Sequence, residues 1–421
     1  MTTPVGQATW ETQGTGSKDF IVSFETEKNL SYEFRHRSAL GKLSKAVKTK
    51  TIGQGAEARE VDIGESACIW SKEITKGDEV RFTLEQQMRG APTYGDSAVM
   101  VGDYLAYLHA NIILNQVKTP AIPLPEEMSM QRVVDVISSP ESQTRNSMTM
   151  YLAEEYVLEA YTAFFKGASP NLLATAVNGG RALNLGRGAG VQVSPQHFLV
   201  AGNGFTSGVA GSDAFETQMK TDLGTLTDTI GDYISREFIH NLRAALVTKK
   251  IAPVNFDGRD VWLAPCDPEL LTRITAPGGT LYKAWVDAQE RSKNNPAFGH
   301  AALELDDILF FPDPWLQKFR PDISAAGDVV WGVNQDDKRD FVPTSKLALM
   351  CVWGNGCLLE GHNGSVKLTS DVGFHGDNKT IGARIKQSFM RTRYIPKDGR
   401  TAINLEQGGM VCAFYEPGLS F

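Results

Sequence analysis

The residue types that carry chemistry are present in this chain but do not converge in its sequence. Two segments, Gly186-Arg187-Gly188-Ala189-Gly190 and Gly202-Asn203-Gly204, have the composition of phosphate-cradling loops. Neither has the GxGxxG or Walker spacing that turns successive backbone N–H groups toward a phosphate at a helix N-terminus. They read as plain flexible loops. No G-x-S-x-G nucleophile elbow occurs. The histidines His36, His109, His197, His240, His300, His362 and His375 are scattered, without the HxxxH or HExxH spacing that sets two imidazoles around a metal. His362, His375, Asp371 and Asp377 come nearest to a cluster and would meet only through folding. His240, on a helical stripe, reads as a packed or surface imidazole.

Paired carboxylates could perform acid–base work. Glu154-Glu155 and Asp306-Asp307 are adjacent, however, and neighbours on a helix point in different directions. Glu126-Glu127 follows a proline-rich turn and reads as solvated. Cys351 and Cys357 flank a strand and turn with no base in sequence to activate a thiol. The basic segments 42–50 and 384–393 lack the interleaved aromatics of a nucleic-acid groove. They read as solvated faces, or as partners for acidic patches on a neighbouring subunit. No catalytic residue, metal ligand or cofactor is expected.

Composition narrows the classes further. Lys and Arg total 42 against 49 Asp and Glu, a formal charge of −7, which disfavours a dedicated nucleic-acid binder. It is compatible with the lining of a DNA container. At 421 residues the chain calls for more than one lobe, and 42% hydrophobic residues mark it as globular. No basic-then-apolar leader and no membrane-length apolar run is seen. Five cysteines, an odd number without a CxxC pair, read as free thiols in a reducing cytoplasm.

The elements that would position these residues are clearer than any site. Residues 1–60 read as an extended arm, with helical character over Asn29–Lys48. Residues 78–84 alternate apolar and polar, as a half-buried strand does. Gly90, Pro92, Gly95 and Asp96 mark a turn-rich tip, and alternation returns over residues 104–116, with Ala110, Ile112 and Leu114 on one side. Together they predict a protruding β-hairpin, which needs a neighbour to lie on. Ser139-Pro140 opens a helix by cap and first-turn proline, and Gly167 closes it. Met148, Leu152, Tyr156, Ala160 and Phe164 recur every four residues along it. At about 1.5 Å per residue it would be roughly 40 Å long. A second helical region runs from Asp213 to Lys250, with Ile230, Ile234, Phe238, Leu242 and Leu246 as its stripe, divided or kinked at Gly224 or Gly231. Beyond Pro253, short strands (261–264, 308–311, 329–333, 347–353) alternate with turns, and a helix is expected at 281–291. Two closing strands, 381–394 and 409–415, are expected to return to an earlier sheet.

Taken in order, several segments resemble a known family. Lys76-Gly77-Asp78-Glu79-Val80-Arg81-Phe82-Thr83-Leu84 is similar to the turn and alternating strand of phage N4-type major capsid proteins, which have the HK97-like fold. Met88-Arg89-Gly90-Ala91-Pro92-Thr93-Tyr94-Gly95-Asp96 resembles the hairpin tip that follows. Trp262-Leu263-Ala264-Pro265-Cys266-Asp267-Pro268, Asn294-Asn295-Pro296 and Gly373-Phe374-His375-Gly376-Asp377-Asn378 also resemble family segments. Residues 97–102 depart from the pattern, being nearly uncharged where the family is acidic.

The resemblance implies an α+β, HK97-like subunit. It would have an N-terminal arm (1–60), an E-loop hairpin (61–125), a P-domain (126–250) with a spine helix at about 140–166, and an A-domain (251–364). The C-terminal strands (365–421) would return to one of the last two. It implies assembly contacts on the E-loop at Gly77, Asp78, Arg81, Arg89, Gly90, Tyr94, Gly95 and Asp96. Spine packing would fall to Met148, Leu152, Tyr156, Ala160 and Phe164. The implied function is a non-enzymatic shell subunit, forming hexamers and pentamers of an icosahedral phage head around double-stranded DNA without reading its sequence. The expected partners are further copies of the chain, a separate scaffolding protein, a portal and a decoration protein, with assembly in the bacterial cytoplasm and no membrane. The alternatives are a cellular compartment shell of the same fold and a soluble α+β hydrolase-like enzyme.

Overall fold

In the computed structural model two sheets share one hydrophobic core, and a 27-residue helix lies against both. The structure describes residues 40–52, 59–74, 77–85, 107–120, 122–125, 140–167, 197–207, 213–256, 258–275, 281–282, 286, 303–323, 329–331, 347–364, 366–373, 378–392 and 408–415.

The first sheet has seven strands: β1 (Ser44–Ala46), β4 (Ile69–Glu73), β7 (Asn115–Lys118), β8 (Ile122–Pro125), β18 (Leu358–His362), β19 (Lys367–Gly373) and β20 (Asn378–Arg391). Its organiser is the long β20, which pairs antiparallel with β18 at one end and with β19, β8 and β7 along the rest. β4 joins β18 in parallel, and β1 joins β4 in parallel.

The second sheet has eight strands: β9 (Phe198–Val200), β10 (Gly204–Phe205), β11 (Val254–Phe256), β12 (Arg259–Cys266), β13 (Leu303–Leu305), β14 (Ile308–Pro312), β17 (Leu347–Trp353) and β21 (Gly409–Tyr415). Its central strand β17, Leu-Ala-Leu-Met-Cys-Val-Trp, is buried at every residue. An unbroken apolar run is what a strand covered on both faces requires. Three two-stranded ribbons complete the β structure: β2 (Lys48–Ile52) with β3 (Arg59–Ile63), β5 (Glu79–Glu85) with β6 (Tyr107–Ile113), and β15 (Pro321–Ile323) with β16 (Val329–Trp331).

Helix α1 spans Pro140–Lys166 and packs on β20, on β18 and on the 3-10 turn Pro314–Phe319. Its C-terminal half carries an aromatic cluster. Trp353 lies 5.5 Å from Tyr161 and 5.6 Å from Phe164, and Phe319 stacks on Phe165 at 5.3 Å. Side chains alternate across a strand, so the face of the second sheet that bears Trp353 is opposite the face that bears Phe414. There Phe238 of α3 (Arg236–Thr248) meets Phe414 edge-on at 4.8 Å. Helix α2 (Asp213–Gly224) buries Phe215, Met219 and Leu223 in the same core. Helix α4 (Pro268–Thr275) follows β12 directly.

One expectation needs correction. Residues 44–48 are not helical: after a 3-10 turn at Leu40–Leu43, the chain enters β1 and then β2. Pairing with β4 and β3 supplies the backbone partners a helix would have supplied, and tertiary pairing outweighs weak helix propensity. Residues 29–39 lie outside the described residues. The region from Asp213 to Lys250 is divided at Gly224, one of the two expected positions, into two helices with a 3-10 turn (Ile230–Asp232) between them. Ser235 starts the second, its hydroxyl accepting from Phe238 N at 3.1 Å.

Candidate functional site

The expected hairpin is rooted on the body of the chain. Val80 and Phe82 of β5, and Ala110 and Ile112 of β6, form a small second core with Leu114, Leu359 of β18 and Met390 of β20. Leu358 and Phe389, their neighbours in sequence, belong to the main core. The β18–β20 pair is therefore covered by α1 on one face and by the hairpin root on the other. Gly361 makes the second contact possible. A Cβ there would come within 2.9 Å of both Leu114 Cδ2 and Val80 Cγ2.

A buried carboxylate fixes the hairpin laterally. Asp62 of β3 accepts from Lys72 Nζ at 2.8 and 2.9 Å, from Thr83 N of β5 at 2.7 Å and from Thr49 Oγ1 of β2 at 3.2 Å. Lys72 Nζ also donates to Arg81 O at 2.8 Å and stands over the Phe82 ring. At the turn, Gly77 has φ +103°, which favours glycine. The adjacent Asp78 pairs with Lys386 of β20 at 2.5 Å, and its carbonyl accepts from Leu114 N at 2.7 Å. The Asp78 and Lys386 side chains are 60% and 40% exposed, so this ion pair adds little stability. Gly77, Asp78 and Arg81 are all exposed. Arg89, Gly90, Tyr94, Gly95 and Asp96 lie outside the described residues.

The helix residues named from periodicity occupy one seam. Met148, Leu152, Tyr156, Ala160 and Phe164 are all buried in the main core. Polar groups share that seam. Tyr156 Oη donates to Glu360 Oε2 at 3.0 Å, and the Tyr156 ring meets Phe389 edge-on at 4.9 Å. Gln387 Nε2 donates to Glu159 Oε2 at 3.0 Å. Tyr161 Oη donates to Asp313 Oδ2 at 2.6 Å, while Asp313 Oδ1 caps the 3-10 turn through Trp315 N. Burial raises both partners' pKa values, and the phenol is pushed further by the neighbouring carboxylate.

A buried ion cluster holds α4 to the end of the 3-10 turn Pro314–Phe319. Asp267 caps the helix through Glu269 N at 3.0 Å, and its other oxygen accepts from Arg320 Nε at 2.6 Å. Arg320 Nη2 reaches Glu269 at 2.6 Å. Asp62, Lys72, Glu159, Glu360, Gln387, Asp267 and Arg320 received no role from the sequence. A capping signal was available only at Asp267-Pro268, since the partners of the others lie ten or more residues away in the chain.

No reactive constellation assembles from these parts. Among the described residues, no group of three or more His, Cys, Asp or Glu is placed to hold a metal ion. All five cysteines are free and buried, and burial raises the thiol pKa values of Cys68, Cys266, Cys351 and Cys412. Such thiols are poor nucleophiles. His362 Nδ1 accepts from Gly364 N at 3.0 Å, and His240 lies 3.6 Å from Asp306 at the surface. Asp306 and Asp307 form the two-residue turn between β13 and β14, both with positive φ, and Asp307 pairs with Arg243 of α3 at 2.7 Å. No described helix is long and apolar enough to cross a membrane.

No family model matches the chain, and no curated protein matches it. Solved structures do. The capsid of Ralstonia phage GP4 matches at 16% identity over 89% of this chain and 96% of that one, with a TM-score of 0.56. The cyanophage Pam1 capsid matches at 12% identity over 84% and 90%, with a TM-score of 0.53. The capsid of Helicobacter pylori bacteriophage KHP30 matches at 9% identity over 83% and 87%, with a TM-score of 0.52. The chain has the α+β, HK97-like fold of phage capsid subunits.

Proposed function

We propose that this chain is a phage major capsid protein, a structural subunit and not an enzyme. It self-assembles into hexamers and pentamers of an icosahedral head that encloses double-stranded DNA without sequence-specific binding. The observation that carries this reading is the extent of the fold match, 89% of this chain against 96% of the GP4 capsid chain. In this reading the chain divides into an arm (1–60), an E-loop (61–125), a P-domain (126–250) with α1 as spine helix, an A-domain (251–364) and C-terminal strands (365–421). N4-type ancestry rests on the sequence segments given above.

Assembly is the mechanism in this reading. The E-loop carries inter-subunit contacts at Gly77, Asp78, Arg81, Arg89, Gly90, Tyr94, Gly95 and Asp96, and α1 gives each subunit a stiff spine. Each contact between subunits is modest, and their number around a closed shell holds it together. Scaffolding protein, portal and decoration protein are the expected partners, with assembly in the bacterial cytoplasm. Negative-stain microscopy of the purified chain, alone and co-expressed with neighbouring phage proteins, tests the reading. Shells, tubes or ring-shaped capsomers are expected. A small defined oligomer under every condition would overturn it.

A further inference from the structure

Two carboxyl groups face each other's surroundings in the seam between α1 and the first sheet. Glu159 of α1 is 3% exposed and Glu360 of β18 is 0% exposed. Strand register and alternation put Glu360 and His362 of β18, Gln387, Phe389 and Arg391 of β20, and Ser71 and Glu73 of β4 on the helix side of the sheet. Three elements meet on Glu360: its Oε2 accepts from Tyr156 Oη of α1 at 3.0 Å and from Ser44 Oγ of β1 at 2.8 Å. Glu159 holds one amide donor, from Gln387. Beside the pair, Gln387 Oε1 and Ser71 Oγ are buried without a hydrogen-bond partner. A spare acceptor next to a carboxyl suits the protonated form, which can donate an O–H.

Arg391, Lys386 and Lys72 each have a hydrogen-bond partner. Arg391 donates to Phe164 O at 2.5 Å, further along α1. Lys386 and Lys72 fall on the opposite face of the sheet and pair with Asp78 and Asp62. Among the remaining titratable groups, His362 accepts from Gly364 N, Glu73 is exposed on β4, and Glu155, one turn before Glu159, is half-exposed. The 3-10 turn Leu40–Leu43 packs on α1 through Leu40 and Leu43, and β7 contributes Val117. At the far end of the helix, Asp313 binds Tyr161, Lys318 lies over Trp315, and Arg320 binds Asp267. Burial, opposed by the Gln387 hydrogen bond and reinforced by Glu360, pushes the Glu159 pKa up to about 8.

We propose that Glu159 and Glu360 form a proton-operated latch between α1 and the β18–β20 sheet, closed while the pair keeps one proton and loosened when both carboxyls ionise. Two hydroxyl donors suit Glu360 to the charge, and the spare amide oxygen suits Glu159 to the proton. Losing that proton puts two like charges into one buried seam. The latch belongs to the chain itself and does not depend on the capsid reading.

The sign of the pH dependence follows from linkage. The folded chain keeps a proton on Glu159 that the unfolded chain releases near the ordinary value of 4.5. The stabilising contribution is therefore complete below about pH 4.5, declines as pH rises, and is gone above about pH 8. Within that window the folding constant falls by about tenfold per pH unit relative to a chain without the group.

Chemical denaturation of the full chain at several pH values within that window, with Glu159→Gln and Glu360→Gln alongside, tests the latch. Infrared difference spectra add a direct reading of the protonated carboxyl. The ratio of wild-type to E159Q folding constants should fall with pH at that rate. The wild-type carboxyl band should vanish with a midpoint near pH 8 and be missing from E159Q. In E360Q the midpoint should move down, because the neighbouring charge is gone. Equal pH slopes for wild type and E159Q would overturn the proposal. Should E159Q fail to fold, an unmoved midpoint in E360Q would overturn it by itself.

Discussion

Lys72 Nζ lies 2.8 and 2.9 Å from the two carboxylate oxygens of Asp62, and this one ion pair ties two ribbons to the first sheet. Asp62 also receives Thr83 N from the hairpin and Thr49 Oγ1 from the β2–β3 ribbon, while Lys72 belongs to the first sheet. A two-stranded hairpin is marginal in water by itself. Here the charge pair and the small apolar core under β5–β6 stabilise its root and fix the direction in which it leaves the body.

Asp62→Ala removes that centre and leaves the Thr83 N–H and a partly covered ammonium without their acceptor. We expect a loss of about 2–3 kcal/mol in urea unfolding. Amide exchange should rise first in β5 and β6, with α1 and β17 little changed.

Gly361→Ala places a methyl against Leu114 and Val80, and Val80 is stiff at χ1. Relief requires the hairpin root to move off the sheet, at a cost of about 1–3 kcal/mol. Equal stability and equal β5 exchange in the variant would show that the root is not packed as tightly as described.

Arg320 is 4% exposed, and its removal leaves Asp267 and Glu269 as unpaired acids beneath α4. Arg320→Met should cost about 3–5 kcal/mol by chemical denaturation. Changing Asp267 and Glu269 to their amides in the same chain should recover part of that loss.

Thiol titration checks the core directly. All five cysteines are buried, so a water-soluble disulfide reagent should label none of them at neutral pH in the folded chain and all five in denaturant. Prompt labelling of any one in the native state would contradict the packing around β17 and β21.

Arg81 is exposed on the hairpin and its side chain is available for a contact between subunits. Arg81→Glu should leave the melting temperature of the unassembled chain unchanged and reduce the yield of shells or capsomers in sedimentation. Normal assembly of the variant would remove Arg81 from the proposed E-loop contacts.

Several elements follow from local sequence because local physics is enough to form them. Ser139-Pro140, the four-residue recurrence from Met148 to Phe164 and the closing Gly167 bracket α1 at Pro140–Lys166. The apolar runs at 347–353 and 409–415 are β17 and β21. Alternation at 78–84 and 104–116 locates β5 and β6 to within a few residues. Where local signals are weak, the partner decides. Residues 44–48 carry some helical pattern yet become strand, because β3 and β4 offer hydrogen bonds from elsewhere in the chain. Asp306-Asp307, read as adjacent surface charges, is a tight turn held at positive φ, with His240 and Arg243 across from it.

The sequence by itself determined the long helix, the hairpin strands and the apolar strands β17 and β21, the absence of any recognisable catalytic motif, and an order of segments resembling capsid subunits. Tertiary structure alone decided that β20 pairs with four strands, that α1 spans two sheets, and that Asp62 meets Lys72 and Glu159 lies near Glu360. The reason is sequence separation. Glu159 and Gln387 are 228 residues apart, and no local periodicity encodes a contact of that kind. Burying a carboxyl is unfavourable locally and is tolerated only where the finished fold brings its partners to it.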